Sequence, residues 1–229
     1  LNEFWIFSLY PEIFDSFLQS GLLGRAIRDQ RMQVKPFNFR EYGLGKHKKV
    51  DDTPYGGGAG MLLRPEPLIE SLEAADAGSE VAAHRVLITP RAKRFTQAEA
   101  HRFAKLDKPL ALICGRFEGF DERIHNFVDE EISLGDYVLM GGEVAAMAVI
   151  EAVARLTPQV IGNLDSTVNE SFESGLLEYA QYTKPHEFRG LKVPDVLTSG
   201  DHQKIADWRL ESSRQTTKAK RPDLLNKPA

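Results

Sequence analysis

The stretch Ser133-Leu134-Gly135-Asp136-Tyr137-Val138-Leu139-Met140-Gly141-Gly142-Glu143-Val144-Ala145-Ala146-Met147 decides how this chain folds. Its short apolar run, 137–140, is bracketed by Gly135 and by Gly141-Gly142, and reads as a strand. Beyond the glycines, Glu143 opens a helix rich in Ala, Val, Met and Ile that runs to about Leu156. Adjacent glycines between a strand-like run and a helix let the backbone turn tightly and approach a neighbour closely. The bare N–H groups of the helix start also favour a polar or anionic ligand group. For one Gly-Gly alone, a plain loop-to-helix turn is the better explanation. A second such stretch weakens that simpler reading. Cys114-Gly115-Arg116-Phe117-Glu118-Gly119-Phe120-Asp121-Glu122-Arg123 also follows an apolar run, Leu110–Cys114. Two glycine-bracketed loops in one α/β chain imply one shared site.

The rest of the pattern supports an open, mostly parallel sheet. Leu110-Ala111-Leu112-Ile113-Cys114 is apolar without alternation, as expected of a strand covered on both faces. Phe4–Leu9 and Val86–Thr89 read as further strands, with a last one expected within 128–133. Pro11 is placed to begin a helix carrying Ile13, Phe14, Phe17 and Leu18, which Gly21 and Gly24 interrupt or end. A helix is expected over Pro65–Ala75, and another from a Thr96/Glu99 capping box to about Lys105. Strands alternating with helices, with loops gathered past the strand ends, put the ligand at that edge of the sheet. The helix from Glu143, apolar nearly all round, belongs in the core or at a subunit contact.

Between 40 and 61 the pattern disappears and ends in Tyr55-Gly56-Gly57-Gly58-Ala59-Gly60-Met61, a loop that must fit closely against a neighbour or ligand. It lacks the Lys-Ser/Thr of a nucleoside-triphosphate loop. Residues 163–174 are polar and aperiodic and read as a linker. A smaller unit follows, with Tyr179, Tyr182, Pro185 and Pro194, and with Asp201 capping a helix through Trp208 and Leu210.

Composition bounds the function. The chain has 229 residues and a single cysteine, Cys114, so it forms no internal disulfide and no cysteine-based zinc site. No run is long enough to span a membrane, and the first residues read as a strand rather than a signal peptide. The expected address is the cytoplasm. Net charge is −4, mildly unfavourable for a nucleic-acid partner. Its distribution changes that. From Lys184 onward there are ten Lys/Arg against six Asp/Glu, leaving −8 on the first 183 residues. Lys46, Lys48 and Lys49 form a second basic cluster. The six histidines show no metal-ligand spacing, and nothing pairs a nucleophile with a base for covalent catalysis. Arg116 and Glu118 are candidates for holding a polar ligand. Arg155 ends the helix from Glu143, where a guanidinium also complements the helix dipole.

Five motifs in fixed order carry a resemblance. They are Pro54-Tyr55-Gly56-Gly57-Gly58-x-Gly60-Met61, Cys114-Gly115-Arg116-Phe117-Glu118-Gly119-x-Asp121-Glu122-Arg123, Gly135-Asp136-Tyr137-Val138-Leu139-x-Gly141-Gly142-Glu143, Tyr182-Thr183-Lys184-Pro185 and Val193-Pro194-x-Val196-Leu197-x-Ser199-Gly200-x-His202. Over nearly its whole length the chain resembles the bacterial tRNA (guanine-N1)-methyltransferases of the SPOUT class. The resemblance implies an α/β methyl-donor domain with a deep trefoil knot over 1–162. A linker over 163–174 and a small, mainly helical tRNA-binding domain over 175–229 would follow. It also implies a homodimer whose active sites are shared between subunits, S-adenosylmethionine as donor, and Mg²⁺ as a possible further requirement.

By the same resemblance, Leu87, Ile88, Thr89, Gly115, Glu118, Leu134, Gly135, Tyr137, Leu139, Gly141 and Gly142 hold the donor. Arg155 stabilises charge on the guanine, and Glu170 is the base, standing where the family's pattern has Asp. Ala145 stands where Pro is common. Asp and Glu are carboxylates of similar basicity, although the extra methylene moves the oxygens by about 1 Å. Lys184, Arg189, Arg209 and Arg214 are the expected phosphate contacts. The alternatives are a methyltransferase of the same class acting on a ribose hydroxyl, and a non-enzymatic RNA-binding module whose glycine loops only pack.

Overall fold

Alternating side chains along buried strands must find cover on two sides, and two separate apolar layers supply it. The computed structural model describes residues 2–158, 160 and 170–226. The chain divides into two compact units, Leu1–Gly162 and Asn163–Ala229. In the first, the order is β1 (Asn2–Ser8), α1 (Asp15–Gln19), α2 (Gly21–Arg28), β2 (Met32–Asn38), the short strands β3 (Asp51–Asp52) and β4 (Leu62–Leu63), α3 (Pro65–Ala77), β5 (His84–Ile88), α4 (Gln97–Ala104), β6 (Leu110–Cys114), β7 (Glu130–Ile132) and α5 (Glu143–Ala154). Five strands form one sheet in the order β2-β1-β6-β5-β7. Every pairing in it is parallel.

Phe4, Ile6, Val86, Leu110 and Leu112 face one layer, where Ala100 and Phe103 of α4 and Ala146, Val149, Ile150 and Val153 of α5 cover them. Trp5, Phe7, Leu87, Ala111 and Ile113 face the other, covered by Leu68 and Leu72 of α3. The period of two along each strand makes this division. Each large side chain buried there stabilises the fold by about 1.5–3 kcal/mol. Burying the 110–114 strand on both faces therefore accounts for its unbroken apolar run.

Several expectations need correcting. The run 137–140 is not a strand. Tyr137, Val138, Leu139 and Met140 are 54%, 84%, 40% and 92% exposed. The strand preceding α5 is β7, which lies within the 128–133 stretch expected to hold one, and the apolar run belongs to the loop beyond. β2 was not anticipated, because Lys35 and Pro36 interrupt its pattern; as an edge strand it tolerates the proline. The helix expected from Pro11 is a 3₁₀ turn, Pro11–Phe14, followed by α1, and Gly21 starts α2 rather than ending a helix. Gly24 lies inside α2, where a Cβ would come 2.4 Å from the Gln19 carbonyl. Thr96 precedes α4 and its hydroxyl donates to the Glu99 carboxylate, but it accepts no backbone N–H, so the capping box is incomplete.

The second unit holds a hairpin, β8 (Glu187–Phe188) with β9 (Leu191–Lys192), and α6 (His202–Lys220). Asp201 caps α6, its Oδ1 accepting from the Lys204 N–H at 3.2 Å, and the helix runs ten residues past Leu210. Buried Thr217 explains how the extended segment near 177 docks: its hydroxyl accepts from the Leu177 N–H at 2.9 Å. Ser212 does the same for Ala180 at 3.0 Å. Of the expected linker, residues 163–169 lie outside the described residues.

Candidate active site

Three neighbouring strands of the sheet end together. Ile88 is level with Cys114 of β6 and with Ile132 of β7. Past those residues the chain leaves the sheet at Thr89, Gly115 and Ser133. The order β2-β1-β6-β5-β7 reverses direction beside β6, and a crevice at such a reversal, outside the carboxyl ends of the strands, is where open α/β sheets bind ligands.

A cavity of about 450 Å³ opens there, within the range of small-molecule sites. Leu87, Ile88 and Thr89 wall it from β5, and Gly115 and Glu118 from the loop after β6. Leu134, Gly135, Tyr137, Leu139, Gly141 and Gly142 wall it from the segment before α5. The eleven residues expected around a donor thus share one cavity. Arg116, Phe117, Met140 and Ala145 also line it.

Two glycines explain how the loops come so close. At Gly142, a Cβ would lie 2.7 Å from Cys114 Cα and 3.0 Å from the Gly115 nitrogen. The Gly142 N–H instead donates to the Gly115 carbonyl at 2.9 Å, tying the start of α5 to the end of β6. Gly60 has φ +83°, and a Cβ on it would come 2.4 Å from Glu118 Cγ. The Glu118 N–H donates to the Met61 carbonyl at 3.0 Å, and the Leu63 N–H to the Gly119 carbonyl at 2.8 Å. The neighbour expected of the glycine-rich 56–60 loop is therefore the Glu118 loop itself.

Behind the cavity wall sits a buried charge that sequence reasoning did not single out. Glu143, the first residue of α5, is 2% exposed. Its Oε1 accepts from Ser8 Oγ at 2.7 Å and from Arg116 Nε at 3.1 Å. Its Oε2 lies 2.9 Å from Arg116 Nη2, although the angle there falls short of a hydrogen bond. A carboxylate at a helix N-terminus is also favoured by the dipole. The Arg116 guanidinium lies 4.8 Å from the Tyr10 ring centroid and so is held on a second side. No local pattern marks Ser8 as a partner 135 residues away. The nearest signal was Arg116, already placed in the site. Burial pushes the Cys114 thiol well above its ordinary range, and the Glu143 charge adds to this, so the single cysteine stays protonated.

The remaining expected residues are not among those that line the cavity. Arg155 directly follows α5, is exposed, and is not on the cavity wall. Glu170 is half-buried in the second unit. Lys184, Arg189, Arg209 and Arg214 are exposed on that unit. The Arg189 guanidinium stands 5.2 Å from the Phe188 ring centroid, and that of Arg209 4.8 Å from the Tyr179 ring centroid. Among the described residues no group of three or more His, Cys, Asp or Glu is placed to hold a metal ion. Nor is any helix of the described residues long and apolar enough to cross a membrane.

Comparison with known proteins gives a consistent result. The profile of the family tRNA (Guanine-1)-methyltransferase TrmD matches residues 2–227. A tRNA (guanine-N(1)-)-methyltransferase of Lactiplantibacillus plantarum is 49% identical over 220 residues, covering 96% of this chain and 89% of its own. Its counterpart in Geobacillus kaustophilus is 48% identical over 222 residues, covering 96% and 90%. The Myxococcus xanthus protein of the same name is 50% identical over 219 residues, covering 96% and 88%.

Proposed function

Because the chain belongs to the tRNA (guanine-1)-methyltransferase family, we propose that it methylates N1 of the guanine just 3′ of the tRNA anticodon, position 37, using S-adenosylmethionine. The observation that carries this reading is that the eleven residues expected around a donor, drawn from three adjacent strand ends, line one cavity. Leu87, Ile88, Leu134 and Leu139 suit a flat base, while bare glycine backbone and the Glu118 carboxylate suit the hydrogen-bonding and cationic parts of the donor. We extend the same reading to the trefoil knot of the SPOUT class within 1–162, which rests on the family alone.

Guanine N1 carries a proton at neutral pH and is a poor nucleophile until a base removes it. Glu170 takes that proton. The negative charge left on the ring delocalises toward O6, where the Arg155 guanidinium stabilises it. The donor supplies the methyl group: its sulfur–carbon bond breaks as the bond to N1 forms, leaving a neutral thioether. Lys184, Arg189, Arg209 and Arg214 contact RNA phosphates. Since Arg155 lies off the cavity wall of its own chain, we place it and Glu170 in a site completed by a second copy. Exposed Val138 and Met140, which line the cavity, and exposed Val144 at the start of α5 are apolar surface that such a homodimer would cover.

Titration calorimetry with S-adenosylmethionine tests the donor site directly. The expected result is saturable binding. Gly142→Ala is expected to weaken it about tenfold or more, because the added methyl overpacks the β6 end by a strain of about 1–3 kcal/mol. Absence of donor binding to the parent chain would instead favour the RNA-binding module without catalysis.

A further inference from the structure

Beside Arg189, already assigned to a phosphate, the hairpin of the second unit carries two apolar side chains that the proposed chemistry does not use. Phe188 and Leu191 are opposite one another across the β8–β9 ladder, so they share a face. They are 59% and 76% exposed. Glu187 and Lys192 occupy the other face, Lys192 Nζ lying 3.7 Å from Glu187 Oε2. The connecting turn, Arg189-Gly190, has φ of +52° and +81°, the two left-handed residues that a tight hairpin needs. Glycine adopts that conformation freely, whereas arginine is strained by it. The arginine held there lies over the Phe188 ring, in reach of a cation–π contact. An aromatic ring, an aliphatic side chain and a guanidinium are thus grouped at the tip of a hairpin. Among the charged residues from 184 to 192, Lys184, Arg189 and Lys192 outnumber Glu187.

We propose that the Phe188–Leu191 face is a stacking platform for an unpaired nucleobase of the RNA substrate, with Arg189 closing one edge of it. The proposal rests on the reading of the chain as a tRNA-modifying enzyme and adds a recognition site built from the second unit's own residues. Single-stranded RNA loops present splayed bases that stack on aromatic rings and guanidinium planes. Two side chains suffice for one base, whereas a stable protein interface needs about 800 Å² from each partner. The positive balance around the hairpin complements a phosphate backbone and does nothing for an apolar protein partner.

The test measures binding of unmodified tRNA by the full-length chain over a range of salt concentrations. Phe188→Ala is expected to weaken binding roughly tenfold or more while leaving the salt slope unchanged, because stacking releases no counterions. Phe188→Trp is expected to retain the parent affinity. Arg189→Ala is expected to lower the slope by roughly 0.7–0.9. Proteolysis and circular dichroism matching the parent check that the second unit of each variant is folded. If Phe188→Ala binds tRNA as the parent does, the platform is wrong and the functional reading stands. If it changes the oligomeric state measured by sedimentation without RNA, the face is a protein contact and the proposal fails. A parent chain that binds no tRNA overturns the functional reading and the platform with it.

Discussion

Glu170→Gln is expected to lower the turnover of methyl transfer by roughly 10²–10⁴-fold, at saturating donor and tRNA. The amide keeps the size and most of the hydrogen bonding of the carboxylate, so it isolates the proton-accepting role. Affinities for donor and tRNA should stay near those of the parent. Glu170→Asp, which shortens the side chain to the residue in the family's pattern, should keep far more activity than the amide. Near-normal turnover of Glu170→Gln would show that another group removes the N1 proton. The measurement is a single-turnover rate, so that product release does not mask the chemical step.

The second large effect belongs to Glu143. Glu143→Ala removes the partner of Arg116 and leaves the Ser8 hydroxyl without its acceptor. Breaking a fully buried ion pair from one side destabilises a protein by about 3–5 kcal/mol. Arg116 keeps 20% of its side chain in contact with solvent, which argues for the lower end, about 3 kcal/mol. For a chain of this size that corresponds to a fall in melting temperature of roughly 10 °C. Glu143→Gln retains an acceptor for Ser8 and should lose about half as much. A Glu143→Ala chain melting within a degree or two of the parent would show that the buried pair contributes nothing.

These two residues differ in how visible they are in the sequence. Glu170 was named from its place in a motif, and its role rests on that place. Glu143 was read as the start of a helix and the last residue of a motif, with no role of its own, because its partners Ser8 and Arg116 come from two other strand ends that only the folded sheet brings together. The strand 110–114 was legible because burial on both faces leaves an unbroken apolar run. The run 137–140 has a similar composition and was misread for that reason. Composition alone does not distinguish a core strand from an exposed apolar loop at a cavity mouth. β2 failed in the opposite sense, since an edge strand needs neither apolar faces nor every backbone N–H. The glycines were more informative than the apolar residues. Gly60 and Gly142 each mark a place where a Cβ would strike another loop or strand, and both contacts join segments of the cavity.

The charge asymmetry of the chain was also readable directly. The basic excess after 183 falls on the part of the second unit that carries the hairpin and α6, and Asp165, Glu170, Glu173 and Glu178 offset it, so that the unit as a whole carries no net charge.

The most direct test of the central claim supplies labelled S-adenosylmethionine with two unmodified tRNAs that differ only in the base just 3′ of the anticodon, guanine in one and adenine in the other. The predicted result is label in the guanine tRNA alone, mapping to N1 of that base. Equal labelling of both tRNAs, label on a ribose hydroxyl, or no label despite bound donor would contradict it.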